Sequence, residues 1–226
     1  MKRCLLKKSL FLMLCSIFVL CSLNISSFAF SGETHQYATQ HGISLVRDTF
    51  KGKVAEFYND SVKDKIFEFC TKPDEDETDG AFKMHFYNPD TDKNFMGEDE
   101  SALAMFKMHY ANALKYYKKN EKVKSCEELG RAIHFLEDLN TPVHTNNQSL
   151  MDSATNLAFH VSFENRCKKI QFMSKVKMDA QEFNYFINNS LNSIGKASAG
   201  LAHDNFYVLY NKLVDKDTVV LNAIEN

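Results

Sequence analysis

Apolar residues recur three or four positions apart through most of the chain, the spacing that places them on one face of an α-helix. The first long stretch of this kind covers residues 42–69 and includes Ile43, Val46 and Phe50. Further helices are predicted over residues 98–119, 122–138, 152–173, 180–194 and 199–213. Only three prolines and eight glycines interrupt the 226 residues, and no internal repeat or linker is visible. The pattern predicts a single compact, all-α, multi-helix domain.

The first 29 residues differ in composition from the rest. They hold four of the 27 Lys and Arg residues and none of the 29 Asp and Glu residues, and their basic start leads into an apolar run over 10–21. This run is shorter than the about 20 residues that span a bilayer as a helix. Ser27 and Ala29 are the small residues expected before a cleavage site. We therefore expect residues 1–29 to be a signal peptide, residues 30–226 to form the mature domain, and the protein to be secreted.

Removal of the first 29 residues changes the charge. The mature chain would hold 23 basic and 29 acidic residues, a net charge of −6 instead of the −2 of the whole chain. A negatively charged protein is a poor partner for nucleic acid, so we expect none. The remaining apolar stretches are too short to predict stable membrane insertion. Cys70, Cys126 and Cys167 remain, and their odd number and wide spacing allow at most one disulfide without indicating which.

An acidic segment over residues 72–97 separates the first two predicted helices and contains two of the three prolines. Long irregular loops inside compact domains are usually functional or disordered. Here the composition favours function, because His85 is surrounded in sequence by the following aspartates: Asp74, Asp76, Asp79, Asp90 and Asp92. For Asp90 and Asp92 we expect a role in fixing the loop through bonds to the backbone.

The residues best suited to bind a metal lie in the next two helices. His134 and Asp138 are four apart and share a helix face, and Pro142 ends that helix just before His144. His160 and Glu164 repeat the four-residue spacing. One such pair is more often a surface pair, but two pairs and His144 together favour zinc, which takes imidazole and carboxylate ligands.

These segments resemble the bacterial zinc-dependent phospholipase C family, which includes clostridial alpha-toxin. Residues 134–144 read HFLEDLNTPVH and resemble the signature of that family. Residues 85–95, HFYNPDTDKNF, resemble its histidine loop, and residues 73–76, PDED, resemble the carboxylate motif before that loop. Residues 32–35, GETH, and 39–43, TQHGI, agree near the expected mature amino terminus. Because motifs far apart in sequence recur together, the resemblance is specific.

The resemblance implies three zinc ions. The first would be held by Asp74, His85, His134 and Asp138, and the second by His144, His160 and Glu164. The third would be held by His35, by Asp138 as a bridging carboxylate, and by the amino group and carbonyl of Phe30. Phe30 stands where the family usually has Trp, but the ligand atoms there belong to the backbone.

The family resemblance also implies an activity, the hydrolysis of phosphatidylcholine or related phospholipids to diacylglycerol and a phosphorylated head group. Asp74 matches the carboxylate proposed as general base in the family, and Phe82 matches an aromatic that contacts the choline ammonium. Glu75 replaces a Tyr common in relatives that hydrolyse phosphatidylcholine, so either an acidic group also binds the ammonium or the preferred head group differs. We expect a monomer that prefers micellar or short-chain phospholipids to intact membranes.

Three interpretations stay open. The runner-up to a phospholipase C is a single-strand-specific zinc nuclease, which shares the helical three-metal scaffold and the five-residue spacing between Phe30 and His35. Glu164 and the loop after His85 favour the phospholipase. A metal-binding scaffold without turnover is the third, and the complete ligand set argues against it. Three other histidines are expected to be surface or core residues: His41, His109 and His203.

Overall fold

The structure is a computed structural model of the chain and describes residues 32–50, 52, 56–58, 60–77, 82–146, 154–173 and 180–214. The helices in these ranges are α1 (Gly32–Thr49), α2 (Asp60–Phe69), α3 (Lys72–Asp76), α4 (Ala102–Lys118), α5 (Lys122–Leu139), α6 (Ala154–Ile170), α7 (Ala180–Asn188) and α8 (Leu191–Val214). Short 3-10 helices lie at Lys83–His85, Pro142–His144 and Gln171–Met173. The described ranges hold no strand, only an isolated bridge between Asn88 and Lys93. The predicted all-α class is confirmed.

The expected signal peptide and Phe30 lie outside the described residues. Among the helices that are described, none combines the length and the apolar character needed to cross a bilayer. Cys70, Cys126 and Cys167 are free thiols, and the first two are buried.

Helix α5 lies at the centre of the fold. It packs along α4 and α2, and it also contacts α1, α3 and α8. The largest core cluster joins α4, α5, α8 and the loop before α4 through Tyr87, Ala102, Leu103, Phe106, Ala132, Phe135, Leu139 and Ala199. Full burial of a Leu or Phe side chain contributes about 1.5–3 kcal/mol to stability. This packing gives α5 a rigid position, and α5 carries the central residues of the site described below.

Helices α5 and α2 approach each other closely at Gly130. A Cβ atom at Gly130 would lie 2.6 Å from the carbonyl oxygen of Ile66 and 2.9 Å from the Cβ of Phe69. Since backbone atoms cannot swing aside as a side-chain tip can, we predict that Gly130→Ala lowers the free energy of unfolding by about 1–3 kcal/mol. Gly200→Ala is the matched control, because its Cβ would meet nothing within 4 Å. The control should stabilise α8 by up to about 1 kcal/mol. Thermal unfolding measures both changes, and equal effects would contradict the close approach.

The single helix predicted over residues 42–69 is wrong. Helix α1 begins earlier and ends at Thr49, and α2 begins at Asp60. Gly52, which lies between them, has a φ of +68°, a conformation that ends helices. The apolar spacing continues across the break because Phe57 and Tyr58 pack on the same core cluster as Ile43.

The boundary predicted between the last two helices is also wrong, since α7 ends at Asn188 and α8 is continuous from Leu191. The side-chain amides of Asn188 and Asn189 each donate a 2.8 Å hydrogen bond to backbone carbonyls of α7. Ser190 then accepts a 3.1 Å hydrogen bond on its hydroxyl from the backbone N–H of Ser193, as an N-cap residue does. These caps place the boundary at residues 189–190.

The acidic segment is more regular than predicted, because it contains α3 and the 3-10 helix Lys83–His85. Its turn is held by Asn88, whose side-chain oxygen accepts a 2.8 Å bond from the N–H of Asp90. Asp92 instead contacts side chains: it accepts hydrogen bonds from the hydroxyl of Tyr87 at 2.5 Å and from Lys196 at 2.9 Å. The carboxylate of Asp90 lies 3.3 Å from Nε2 of His203. Contacts with side chains therefore replace the bonds to the backbone expected of Asp90 and Asp92.

Candidate metal centre

Helix α5 presents His134 and Asp138 on one face, and both side chains are completely buried. The carboxylate of Asp138 lies 3.4 Å from Nε2 of His134 and 3.0 Å from Nδ1 of His85. The four-residue spacing on the helix thus gives the pairing that the sequence predicts, and the 3-10 helix before α4 supplies a second imidazole.

The end of α5 fixes the position of His144. The side chains of Asn140 and Thr141 donate 2.8 Å bonds to carbonyls of the last helical turn, which have no partner within the helix. Pro142 then begins the turn that carries His144. Nδ1 of His144 donates to the carbonyl of His85 at 3.0 Å, and the N–H of Tyr87 donates to the carbonyl of His144 at 2.9 Å. This pairing ties the turn to the His85 segment.

Asp74 comes from α3, whose first turn contains Pro73. Its Oδ1 lies 3.6 Å from Nδ1 of His85 and 3.5 Å from Nε2 of His134. Ligand atoms around a tetrahedral zinc ion are separated by about 3.3 Å, given zinc–ligand bonds of about 2.0–2.1 Å. Asp74 therefore joins His85, His134 and Asp138 at separations that suit one metal ion.

The second predicted set also converges. In α6, Oε1 of Glu164 lies 2.6 Å from Nε2 of His160, one turn before it. The same oxygen lies 3.3 Å from Nε2 of His144. All three side chains are buried, and their ligand atoms lie within 4.8 Å of one another.

His35 is the described member of the third predicted set, together with Asp138. It is completely buried in the first turn of α1, and its ring stacks on that of His134 at a centroid distance of 4.0 Å. Its Nε2 lies 3.8 Å from Oδ1 of Asp138. His35 also forms a three-residue group with Asp74 and His134, in which the ligand atoms lie within 4.8 Å of one another.

The charges of this cluster fit cations. Both carboxylate oxygens of Asp74 and Oδ1 of Asp138 are buried without a hydrogen-bond partner among the described residues. Burial, together with the charges of Asp138 and Glu164, raises the pKa of Asp74 to about 9. Burial raises the pKa of Glu164 to about 7. A divalent cation would offset the cost of holding these carboxylates ionised away from water, and the mixed imidazole and carboxylate set suits zinc.

The histidines are held in the state that a metal requires. Burial lowers the pKa of His35 and of His134 well below the usual range, so both are neutral. Nδ1 of His134 donates to the carbonyl of Cys70 at 2.8 Å, which leaves Nε2 for the cluster. Histidine ligands of metals usually donate their second ring nitrogen in this way.

One residue of this region was missed by sequence reasoning. Glu137, next to Asp138, places Oε2 2.5 Å from Nδ1 of His35 and accepts a 3.0 Å hydrogen bond on Oε1 from the hydroxyl of Thr39. The four-residue spacing of His35 and Thr39 was a visible signal. It did not show which residue on another helix would face both.

The predicted substrate-binding residues lie at the edge of the cluster. The ring of Phe82 is 5.7 Å from the ring of His85, centroid to centroid. Glu75 is half exposed, forms an ion pair with Lys72 and accepts a 3.0 Å bond from the hydroxyl of Thr71. Its role in binding a head group stays a prediction.

The other three histidines make contacts outside the predicted ligand sets. Nδ1 of His41 contacts the carbonyl of Tyr37 on the exposed side of α1 at 3.0 Å. Nδ1 of His109 contacts Glu128 at 2.7 Å, and Nδ1 of His203 contacts the carbonyl of Thr145 at 2.5 Å.

Comparison with known proteins agrees with this geometry, although no family model matches the chain. A phospholipase C from Paraclostridium bifermentans is 29% identical over 164 residues, which cover 62% of this chain and 41% of the relative. One from Clostridium perfringens is 24% identical over 184 residues, covering 74% and 46%. The solved structure of alpha toxin from Clostridium absonum matches with a TM-score of 0.65 at 20% identity, over 80% of this chain and 55% of that one. The chain thus spans about half the length of these proteins. It has the all-α fold of the clostridial alpha-toxins, and it resembles the bacterial zinc-dependent phospholipases C in sequence.

Proposed function

We propose that the chain is a secreted zinc-dependent phospholipase C that hydrolyses the glycerol–phosphate ester of phospholipids. The observation that carries the proposal is the convergence of two ligand sets, drawn from α3, α5, α6 and two 3-10 helices, on one buried cluster. Similarity to proteins named phospholipase C supports the choice of reaction. Zinc ions held there would lower the pKa of a water molecule and neutralise phosphate oxygens.

Three ions are proposed. Asp74, His85, His134 and Asp138 would hold the first, and His144, His160 and Glu164 the second. His35, Asp138 and the amino terminus at Phe30 would hold the third, after cleavage behind Ala29. The enzyme is proposed to act as a monomer.

Asp74 is the proposed general base. Its two oxygens are buried without a hydrogen-bond partner among the described residues, and its side chain is 5% exposed. A carboxylate in this position accepts a proton from an attacking water when that water lies within hydrogen-bond reach. The carboxylate of Asp138, which is also central to the cluster, is surrounded by imidazoles and is less available for proton transfer.

Phe82 is proposed to contact the head group. It has a φ of +50°, in the left-handed region, directly before the 3-10 helix that carries His85. An aromatic ring within about 6 Å of a quaternary ammonium attracts it by about 0.5–2 kcal/mol. A choline head group is therefore the first to test.

Parallel assays of the zinc-loaded protein test the function. We expect turnover of micellar short-chain phosphatidylcholine, slower turnover of the same lipid class in anionic liposomes, and little or none of single-stranded DNA. The charge of −6 expected for the mature chain motivates the liposome result, because anionic surfaces repel it. Loss of turnover with a chelator is the control. Cleavage of DNA without lipid hydrolysis would establish the nuclease alternative, and metal binding without either activity would establish the scaffold alternative.

A further inference from the structure

The carboxylate of Glu137 bridges two residues of α1. Its Oε2 contacts Nδ1 of His35 at 2.5 Å, and its Oε1 accepts a 3.0 Å bond from the hydroxyl of Thr39, one turn later on α1. Both oxygens are thus engaged by the same face of one helix. Since Glu137 precedes Asp138 by one residue, its side chain leaves α5 about 100° around the axis from that of Asp138. Glu137 therefore faces α1 while Asp138 faces the metal cluster.

We propose that Glu137 is a positioning residue for metal binding, which accepts the hydrogen of His35 Nδ1 and thereby holds His35 Nε2 toward Asp138. The inference rests on the proposed function, since it concerns the ion that His35 would hold. A histidine that binds metal through Nε2 must carry its hydrogen on Nδ1, and a carboxylate at Nδ1 both fixes that tautomer and increases the basicity of Nε2.

The partner of His35 differs from those of two other histidines in the cluster. His134 and His144 donate from Nδ1 to backbone carbonyls, those of Cys70 and His85. His35 has a carboxylate instead. A charged acceptor makes the stronger hydrogen bond, and His35 lies in the first turn of α1.

The surroundings of Glu137 argue against a role in packing alone. A cavity of about 660 Å³ between α1 and α5 is lined by Glu137 and mainly by apolar residues, among them Ala38, Ile43, Val46, Ile133 and Leu136. An apolar residue would fill this position at lower cost. The carboxylate is therefore explained by its contact with His35.

The test compares three variants with the wild type. Glu137→Leu removes the acceptor. Glu137→Gln keeps it, because its amide oxygen can accept from His35 while its NH₂ donates to Thr39. Thr39→Val removes only the hydrogen bond between Thr39 and Glu137 and is the control.

We expect Glu137→Leu to bind one zinc ion about 10- to 100-fold more weakly and the remaining ions normally. Glu137→Gln should recover most of that affinity, and Thr39→Val should match the wild type. Zinc content is measured against a graded series of zinc buffers.

A spectroscopic readout separates orientation from packing. In ¹⁵N spectra recorded before zinc is added, His35 should carry its hydrogen on Nδ1 in the wild type, in Glu137→Gln and in Thr39→Val, and should lose that preference in Glu137→Leu. If Glu137→Leu fails to fold, Glu137→Asp replaces it, because a side chain one methylene shorter draws the carboxylate away from His35 and should also weaken one site. Unchanged zinc affinity and tautomer in the folded variant would overturn the proposal for Glu137. A wild type that binds no zinc would instead overturn the proposed function.

Discussion

Asp138→Ala should reduce phospholipid turnover by at least about three orders of magnitude and remove more than one zinc ion. The carboxylate is completely buried and faces four imidazoles: His85 at 3.0 Å, His134 at 3.4 Å, His144 at 3.6 Å and His35 at 3.8 Å. Burial alone would raise its pKa, yet the surrounding histidines outweigh that cost and lower it, so the group is ionised. Its loss would take a negative charge from the centre of the cluster. Turnover and zinc content measured on the same preparation check this prediction.

Two variants calibrate the effect of Asp138→Ala. His134→Ala removes one proposed ligand of one ion and should cost less, though still orders of magnitude. Asp99→Ala removes an 88% exposed carboxylate that pairs with Lys93, and it should leave turnover and zinc content unchanged. A mild loss at Asp138, similar to that of Asp99→Ala, would remove Asp138 from the bridging role.

The centre of the site could be predicted because its geometry is local. His134 and Asp138 share a helix face whatever the rest of the fold does, and Pro142 requires the chain to turn before His144. The pair His160 and Glu164 follows the same rule. That these pairs, with Asp74 and His85, meet at one point was implied only by the family resemblance, because nothing in helical spacing says how α5 and α6 pack.

The features that could not be predicted depend on tertiary contacts. The break between α1 and α2 was hidden because Phe57 and Tyr58 keep the apolar spacing while packing on the core shared with Ile43. Glu137 was overlooked because its partner His35 is 102 residues away in sequence.

Removing zinc with a chelator should destabilise the protein by several kcal/mol, in addition to abolishing turnover. A ligand that binds only the folded state stabilises it by about 4 kcal/mol when its free concentration is 1,000 times its dissociation constant. The effect should be large here because the clustered residues come from α1, α3, α5, α6 and two 3-10 helices, so the ions would join segments distant in sequence. Without them, Asp74 and Glu164 stay buried with no cation to favour their ionised forms, and burial raises their pKa values to about 9 and about 7. Thermal unfolding with and without chelator measures the change, and Asp138→Ala, already short of metal, should respond less. An unchanged melting temperature after complete zinc removal would show that the helices pack without the metals and that the cluster serves catalysis alone.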